Sequence, residues 1–446
     1  MPPMVEPRIV PREAHVVSRR DIDPDALKVL YRLRQFDHIA YLVGGSVRDL
    51  LLGRHPKDFD IGTSAHPYQV KKLFRNCWII GRRFRLAHVK FGPKVIEVAT
   101  FRRQVEPGEE VVQDGVPAPD PSTTAGQHLI HRDNTFGTPE EDAFRRDFTI
   151  NALFYDIATF SIIDYVGGLE DLRGAVVRSI GDPDVRLRED PVRMVRAIAL
   201  AARLDFAIES SLLDAIRTHR HEIAKSSPAR MLEEYYKILR AGSAEAAFRR
   251  LADVGLLEPI SHELHTGAAE PLWRSLAALD TYRRRFASMP ETLTNAVLLG
   301  SVLVPLGAMR AQPSGHRPNL DPGAAIDRAT TPNRSGVPRL GQLPLARRDV
   351  ERLRQILGLQ RRLRDVGANP RAQRSLATRH VFRDALTWLE IHGHAPELVE
   401  HWKAILAHAA SSGPPAETTG EAEGEPRPFR RRRRRRRGRR RFNTAQ

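Results

Sequence analysis

Two segments of the sequence carry residue types suited to phosphate and metal chemistry. In the first, an apolar stretch runs into Gly44 and Gly45. Adjacent glycines let a phosphate approach the backbone, and a helix that starts there presents free N–H groups to it. We expect Ser46 to cap that helix, with Arg48 and Asp49 in its first turn. An ordinary tight connection between strand and helix would use the same residues, so this motif alone is a weak signal.

The second segment, KDFDIGT, follows a few residues downstream. If Asp58 to Ile61 is a strand, its alternation places Asp58 and Asp60 on one face. Phe59 and Ile61 then point to the core. Two carboxylates about 6–7 Å apart along a strand can share a pair of divalent cations. A lone Asp-x-Asp is more commonly a solvent-facing edge, but the glycine turn just before it favours a site where nucleotide phosphates meet metal ions.

A third segment, REDPVRMVRA, contains acidic and basic residues at helical spacing. A spacing of three places Asp190 and Arg193 on neighbouring turns of one helix face, where together they can contact the edge of a nucleotide base. The structural alternative is that Asp190, before Pro191, caps the helix and that Glu189 pairs with Arg193. Taken without the two upstream motifs, the segment favours that alternative; taken with them, it favours base recognition.

The elements that must position these residues change character once along the chain. Up to about residue 165, short β-branched and aromatic runs alternate with helical pieces, namely IAYLVGG, KDFDIGT, CWIIG, LAHVKFG, KVIEVATF and ALFYDIA. From about residue 188, long helical periodicity takes over. The sequence therefore predicts an α/β head and an all-helical remainder. We expect Cys77 to pack in the core, and His88 is the one histidine expected near the site.

Composition restricts the class of protein and of partner. The 446 residues include 71 Lys or Arg, 54 Asp or Glu and a single cysteine, with a formal charge of +17. One cysteine forms no intrachain disulfide or thiolate cluster, so any metal is expected to have oxygen or nitrogen ligands. No apolar run reaches the ~20 residues of a membrane helix. We expect a cytoplasmic protein, without membrane contact, whose partner is a polyanion such as a nucleic acid.

About half of the charge excess lies at the C-terminal end. Residues 411–446 hold twelve arginines and four glutamates, and 12 − 4 gives +8. Consecutive arginines repel one another and bury nothing, so we expect a disordered tail that grips RNA phosphates. A solubilising or targeting tail is the alternative. Glycine- and proline-rich stretches at 104–136 and 311–341 predict a mobile loop and a flexible insertion.

The order of these motifs resembles a known family. GGSVRDLLLG followed by KDFDIGT is similar to the head of polymerase β-like nucleotidyltransferases, in the branch of bacterial poly(A) polymerases and CCA-adding enzymes. IEVATFR, RRDFTINALFYD and REDPVRMVRA match further segments of that branch in the same order. The resemblance implies an α+β fold. A nucleotidyltransferase head with a mixed sheet would be followed by an all-helical neck and body and by a disordered Arg-rich tail.

The resemblance also implies roles for single residues. Asp58 and Asp60 would be catalytic and would hold Mg²⁺ or Mn²⁺, and Asp147 would be a further catalytic aspartate. Glu97 lies where related folds often carry a third metal carboxylate, although a strand glutamate is more often solvated or ion-paired. Arg145 or Arg146 would lie close to phosphate or primer. The groups expected to bind the nucleotide are Gly44, Gly45, Arg48, Asp49, Arg146, Asp190, Arg193 and Arg196.

Within the branch, GRRFRLAHV and the residues around it, 79–103, are similar to poly(A) polymerases in particular. The implied activity is addition of adenylate from ATP to RNA 3′ ends, with RNA-decay factors as partners of a monomer. CCA addition to tRNA is the main alternative, and a catalytically idle RNA-binding scaffold is the alternative from another class. In the helix predicted at 226–239, we expect Arg230, Glu234 and Lys237 to interact along one face; a surface salt-bridge ladder is equally compatible.

The expected domain boundaries follow from these segments. Residues 1–38 form an N-terminal extension and residues 39–170 the nucleotidyltransferase head. Residues 171–245 form a helical neck with nucleotide- and RNA-binding helices. Residues 246–409 form the helical body, and residues 410–446 the basic tail.

Overall fold

The six strands predicted from the sequence all form, and they join two further strands in one mixed sheet. The structure is a computed structural model that describes residues 6–81, 85–103, 135–309 and 340–411. In chain order the strands are β1 (Arg8–Val10), β2 (Ala40–Val43), β3 (Asp60–Thr63), β4 (Cys77–Ile80), β5 (Leu86–Phe91), β6 (Lys94–Thr100), β7 (Leu153–Asp156) and β8 (Ser161–Asp164). Their order across the sheet is β1-β8-β7-β2-β3-β6-β5-β4. Strands β3 and β6 run parallel, and all other neighbours are antiparallel.

One face of the sheet is covered by two amphipathic helices, α1 (Pro24–Gln35) and α3 (Pro67–Leu73). Asp23 caps α1 by accepting hydrogen bonds from two backbone N–H groups of its first turn. The apolar stripe of α1, including Val29, Leu30 and Leu33, is fully buried in the main core. This face therefore supplies most of the packing of the head, and Cys77 lies buried in it as expected.

The opposite face of the sheet is covered over only part of its width. A small cluster beside β2 and β7 buries Val43, Phe101 and Phe154 against Ala143 of α4 (Pro139–Phe144). Phe101 packs so closely on Gly62 that a Cβ there would lie 2.5 Å from the phenyl ring. Across β4, β5 and β6 the same face is largely exposed. The boundary between the covered and open parts falls at the start of β3.

Residues that precede the expected start of the head are built into it. Strand β1 pairs with β8 at the edge of the sheet, and α1 packs into the core. Neither β1 nor β8 was predicted from the sequence. Each has only three or four residues, which is too few to show a clear alternation. The ladder partner of β1 also lies far along the chain, whereas β8 forms a hairpin with β7.

The remainder is helical, as predicted, apart from one short parallel ladder between β9 (Val176–Val177) and β10 (Ala207–Ile208). The helices up to the neck are α2 (Gly45–Leu51), α5 (Gly168–Arg173), α6 (Pro183–Glu189), α7 (Val192–Leu204), α8 (Ser210–His219) and α9 (Pro228–Arg240). Those that follow are α10 (Ala244–Asp253), α11 (Leu257–Ile260), α12 (His262–Thr266), α13 (Glu270–Arg283), α14 (Asn295–Leu303), α15 (Arg347–Arg364), α16 (Pro370–Ala377), α17 (Phe382–His392) and α18 (Pro396–Ser411).

The expected architecture of a mixed-sheet head and a helical neck and body is therefore confirmed. No helix among the described residues is long and apolar enough to cross a bilayer. The loop expected at 104–136, the insertion expected at 311–341 and the basic tail fall almost entirely outside the described residues.

Candidate active site

The glycine turn begins α2 in a conformation that favours glycine. Gly44 has φ 72° and ψ −132° and is the N-cap of α2, without a side-chain cap. The expected cap, Ser46, is wrong: it lies inside the helix, and its Oγ donates to Val43 O at 3.0 Å. The helix starts two residues earlier than expected because the positive φ of Gly44 reverses the chain directly after β2.

The guanidinium of Arg146 lies against this turn. A Cβ added to Gly44 would be 3.0 Å from Arg146 Nη1, which donates to Asn151 O at 3.0 Å. Nε and Nη2 of Arg146 donate to Asp142 Oδ2 at 3.1 and 2.9 Å. Its Cζ also lies 5.3 Å from the ring centroid of Phe154. These contacts fix a positive charge where the backbone of the turn can be approached closely.

Asp142, which accepts the hydrogen bonds of Arg146, is almost completely buried. Burial acts to raise the pKa of its carboxyl, but the charges of Arg146 and Arg145 outweigh burial and lower the pKa below its ordinary value. Asp142 therefore remains ionised and keeps both guanidiniums in place.

Asp60 lies at the first position of β3, opposite Val43, the last residue of β2. Desolvation by the surrounding protein raises its pKa most, and the negative charges of Glu97 and Asp58 raise it further. The positive charge of Arg146 opposes them, and the pKa is raised to about 6. Three carboxylates thus form one negatively charged cluster next to the glycine turn. Excess negative charge of this kind is what a bound cation would neutralise.

The predicted strand conformation of Asp58 is wrong. Strand β3 starts at Asp60, and Asp58 lies in the preceding loop with its side chain 73% exposed. The reason is that β2 ends opposite Asp60 and turns away at Gly44, so Asp58 has no strand to pair with. Its nearest ion pair is with Lys57, at 3.7 Å. The charge of Asp58 still acts on Asp60, but its side chain is free to reorient.

Glu97 and His88 extend the site along the sheet. The two residues are directly opposite each other on β6 and β5, and His88 Nε2 lies 3.4 Å from Glu97 Oε1. The expectation that His88 approaches the site agrees with this placement. Glu97 is half-exposed; it lies beside His88, and its charge also raises the pKa of Asp60. Its role as a metal ligand stays a hypothesis.

The chemistry of the donor set suits a hard divalent cation. Asp58 and Asp60 offer carboxylate oxygens, the ligands that Mg²⁺ prefers, and no arginine or lysine neutralises Asp60 through a direct ion pair among the described residues. Within that part of the chain, no three His, Cys, Asp or Glu side chains are close enough together to hold a metal ion. The assignment of Asp58 and Asp60 as metal ligands therefore remains a prediction that the donor chemistry supports.

Arg48 and Asp49 form a buried network rather than an open pair. Arg48 Nε and Nη2 donate to Asp49 Oδ1 at 2.9 and 2.7 Å, and Nη1 donates to the side chain of Asn151. Asp49 Oδ2 accepts from Arg203 Nη2 of α7 at 2.8 Å. Burial lowers the pKa of Arg48, and Asp49 opposes that effect. In this conformation Asp49 connects α2 to α7, and Arg48 connects α2 to Asn151.

Asp147 likewise belongs to the connection between head and neck. Arg196 Nη1 of α7 lies 2.9 Å from Asp147 Oδ2, and the charge of Asp147 raises the pKa of Arg196. The Oδ1 atom of Asp147 accepts from Phe148 N at 3.1 Å. Asp147 is not among the charges that shift the pKa of Asp60. The structure thus pairs Asp147 with Arg196, and its catalytic role stays a prediction.

The REDPVRMVRA segment is not one continuous helix. Asp190 lies between α6 and α7 in extended conformation, so the expected helix across it is wrong. Pro191, which removes a backbone donor at the junction, is the N-cap of α7. Asp190 receives two hydrogen bonds from Arg230 of α9, at 3.2 and 2.8 Å. The expected contact of Glu189 with Arg193 is confirmed at 3.3 Å.

These contacts separate Asp190 from Arg193 in this conformation. Arg193 Nη1 donates to Arg186 O at 2.9 Å, toward α6, while Asp190 turns to α9. In the predicted interaction along α9, Lys237 does bond Glu234 at 2.9 Å. Arg230 instead reaches Asp190, a contact that the local spacing in α9 gave no reason to expect. Sequence reasoning missed Arg203, whose partner Asp49 lies on α2, and it missed Asp142, although the partners Arg145 and Arg146 follow it by only three and four positions.

A mixed sheet that places a carboxylate cluster beside a glycine turn and a fixed arginine defines a nucleotidyltransferase head. Three family models match the chain: the "Poly A polymerase head domain" at residues 40–178, the "Probable RNA and SrmB- binding site of polymerase A" at residues 205–267, and the "Polymerase A arginine-rich C-terminus" at residues 337–441. The chain belongs to the poly(A) polymerase family of nucleotidyltransferases.

Individual proteins show the same relationship. The chain is 51% identical over 254 residues to a protein named Poly(A) polymerase I from Salmonella typhi, a match that covers 56% of this chain and 53% of that protein. It is 38% identical over 240 residues to a CCA-adding enzyme of Lactobacillus helveticus, covering 54% and 56%. The matched stretch thus spans about half the length of these curated relatives.

Among solved structures, the chain resembles the crystal structure of the Bacillus stearothermophilus CCA-adding enzyme in complex with CTP. The TM-score is 0.58 at 28% sequence identity, over 87% of this chain and 83% of that one.

Proposed function

We propose that this protein adds adenylate from ATP to the 3′ ends of RNA without a template. The observation that carries the proposal is the placement of the negatively charged carboxylates of Asp60 and Glu97 beside the Gly44 turn and the fixed guanidinium of Arg146. Similarity over about half of the chain to proteins named Poly(A) polymerase I supports adenylate as the added nucleotide.

The phosphates of ATP would lie between the glycine turn and Arg146. Gly44 lacks the side chain that would fill the space in front of Arg146 Nη1. The hydrogen bonds to Asp142 hold the guanidinium before a substrate arrives, so little reorganisation accompanies binding. Arg146 would then hold phosphate oxygens close to Asp60, whose pKa it also lowers.

Asp58 and Asp60 would hold Mg²⁺ or Mn²⁺. When bound, such ions lower the pKa of an attacking hydroxyl and stabilise the charge of the departing pyrophosphate. In the reaction, the 3′ hydroxyl of RNA gives up its proton to solvent and its oxygen forms a bond to the α-phosphorus of ATP. The bond from that phosphorus to the oxygen that bridges it to the β-phosphorus breaks, and pyrophosphate leaves. The backbone of Asp60 is fixed in β3, so Asp60 would anchor the metal ions. The exposed side chain of Asp58 could adjust its position to them.

Recognition of the adenine base would involve Asp190 and Arg193 at the start of α7. Both are engaged in the present conformation, Asp190 by Arg230 and Arg193 by the end of α6. Arg230 holds the Asp190 carboxylate in a defined orientation through two hydrogen bonds. The residues of α7 that contact the head, Arg196 and Arg203, would keep this base-reading end at a fixed position relative to the phosphates.

CCA addition to tRNA is the second candidate function, because the structural similarity at a TM-score of 0.58 is to a CCA-adding enzyme. Supplying the purified full chain with each nucleoside triphosphate separately distinguishes the two. Long adenylate tracts on generic RNA are expected. Short CTP-dependent additions confined to tRNA that lacks its terminus would contradict the proposal.

The metal site is tested by conservative substitution. Asp60→Asn is expected to reduce nucleotide addition by about 100-fold or more, because even the partners of metal ligands contribute 10- to 100-fold. Asp214→Asn on the surface of α8 is the matched control, since its carboxylate pairs only with the neighbouring Arg217 among the described residues. Unchanged activity of the Asp60→Asn protein would overturn the assignment of Asp60 to the metal site, whereas RNA binding without nucleotide addition by the wild-type protein would favour an RNA-binding scaffold. We also propose that the protein is a cytoplasmic monomer and that it acts together with RNA-decay factors.

A further inference from the structure

Three side chains lie in a row across the open part of the sheet face, and the row ends next to Asp60. In the antiparallel ladder, Trp78 of β4 is opposite His88 of β5, which is opposite Glu97 of β6. Residues opposite each other share a face, so Trp78, His88 and Glu97 form one row. Two strand spacings of about 4.8 Å put Trp78 about 10 Å from the Glu97 position. Glu97 in turn acts on the charge of Asp60.

Large side chains on this face are exposed to solvent. Trp78 is 52% exposed, Ile80 50% and Val95 43%, whereas α3 covers the other face of the same strands. The three remaining tryptophans of the chain are buried, the most exposed of them, Trp273, at 8%. An exposed indole on a sheet edge is costly in water and marks an interaction surface.

We propose that the row formed by Trp78, His88 and Glu97 is the surface on which bases at the 3′ end of single-stranded RNA lie as they approach the carboxylates, an inference that rests on the proposed function of the site. Trp78 supplies the stacking face. His88 separates Trp78 from the negative charge of Glu97 and Asp60.

The occupant follows from the chemistry around the row. Proteins bind single strands by stacking bases on aromatic side chains while cations contact the phosphates. Lys90 lies on the same face of β5, and Lys57 lies beside Asp58 at the end of the row near the carboxylates. A second copy of the chain, paired along the free edge of β4, would cover the same residues, and the experiment is designed to distinguish it.

The fluorescence of the full chain reports on Trp78, because it is the exposed tryptophan. A short oligoadenylate, titrated without ATP or metal, is expected to quench the emission of the wild-type protein. Trp78→Leu is expected to abolish that quenching and to weaken oligoadenylate binding, measured by anisotropy of a labelled oligonucleotide, by about 5- to 150-fold. Trp78→Phe retains a stacking face and is expected to keep most of the affinity.

Tyr68→Leu is the matched control, since Tyr68 is a 60% exposed aromatic on α3, which covers the opposite face. It is expected to bind oligoadenylate like the wild type. Equal binding by the wild-type and Trp78→Leu proteins would overturn the proposal, as would acrylamide quenching no greater in the wild type than in Trp78→Phe. Self-association that Trp78→Leu abolishes, without an effect on RNA, would assign the face to a second copy.

The proposed function can fail independently. If the protein binds oligoadenylate through Trp78 but adds no adenylate when ATP and Mg²⁺ are supplied, the surface stands and the activity does not. If Trp78→Leu adds adenylate at the wild-type rate and binds RNA with the wild-type affinity, the proposed activity is retained and the proposed RNA surface is rejected.

Discussion

Replacing Gly44 by alanine tests the glycine turn most directly, because the structure gives two separate reasons for a loss. The backbone has φ 72° and ψ −132°, a conformation that L-residues rarely adopt, and such strain costs about 1–3 kcal/mol. The new Cβ would also lie 3.0 Å from Arg146 Nη1. Arg146 cannot move away freely, since two hydrogen bonds to buried Asp142 hold it.

The expected result is a fall in the free energy of unfolding of about 1–3 kcal/mol, measured by denaturant titration. Nucleotide addition under conditions where the variant is folded should fall by up to about 100-fold, the cost of a displacement of ~1 Å in a positioning group. Gly45→Ala is the matched control: Gly45 is helical, and its Cβ would be 3.4 Å from the nearest atom, Arg48 Nη2. Its stability and rate should stay close to those of the wild type.

The reasoning would be refuted if Gly44→Ala were as stable and as active as the wild type. Equal losses in Gly44→Ala and Gly45→Ala would also refute it, because they would show that neither the positive φ nor the contact with Arg146 distinguishes the two positions. A loss of stability without a loss of rate in folded protein would retain the backbone argument and remove Arg146 from the phosphate site.

Four further predictions concern charged groups. The pKa of about 6 for Asp60 means that Mn²⁺ binding should strengthen as pH rises through about 6, and Glu97→Gln should move that midpoint lower; weaker binding at every pH would instead make Glu97 a ligand. Since the folded state holds the Asp60 proton more tightly than the unfolded chain, stability should fall as pH rises from about 4 to 6, and less so in Asp60→Asn. Arg230→Ala should raise the KM for ATP and reduce selectivity for adenine, because the Asp190 carboxylate loses both its hydrogen bonds, whereas unchanged selectivity would separate Asp190 from the base. Deletion of residues 427–446 should weaken RNA binding and reduce its dependence on log salt by up to ~0.7 per phosphate contact, with adenine selectivity retained.

Much of the head was predictable because its signals are local. Alternation of apolar residues identified all six strands from β2 to β7, and Gly44 with Gly45 marked the turn between β2 and α2. The start of β3 was misplaced by two residues because pairing depends on where β2 ends, which the KDFDIGT segment itself does not contain. Strands β1 and β8 were missed because three or four residues are too few to show an alternation of apolar side chains.

The partners of the charged residues were much less predictable. Sequence spacing suggested contacts within one helix, such as Glu189 with Arg193, and that contact forms. It gave no indication that Asp190 bonds Arg230, forty positions away, or that Asp147 bonds Arg196. Ion pairs form between whichever charges folding brings together, and nothing in the local pattern encodes the element on the other side.

The sequence by itself indicated the class of chemistry, because the glycine turn, the two aspartates that follow it and three further motifs occur in the order of one family. It also determined the basic excess of the chain, which favours a polyanionic partner. Only the tertiary structure decided which carboxylates act on one another. The parallel pairing of β3 with β6 brings Glu97 to Asp60, whereas the packing of α7 on the head takes Asp147 to Arg196. Electrostatic interactions depend on distance in space, and the sheet register and helix packing set those distances.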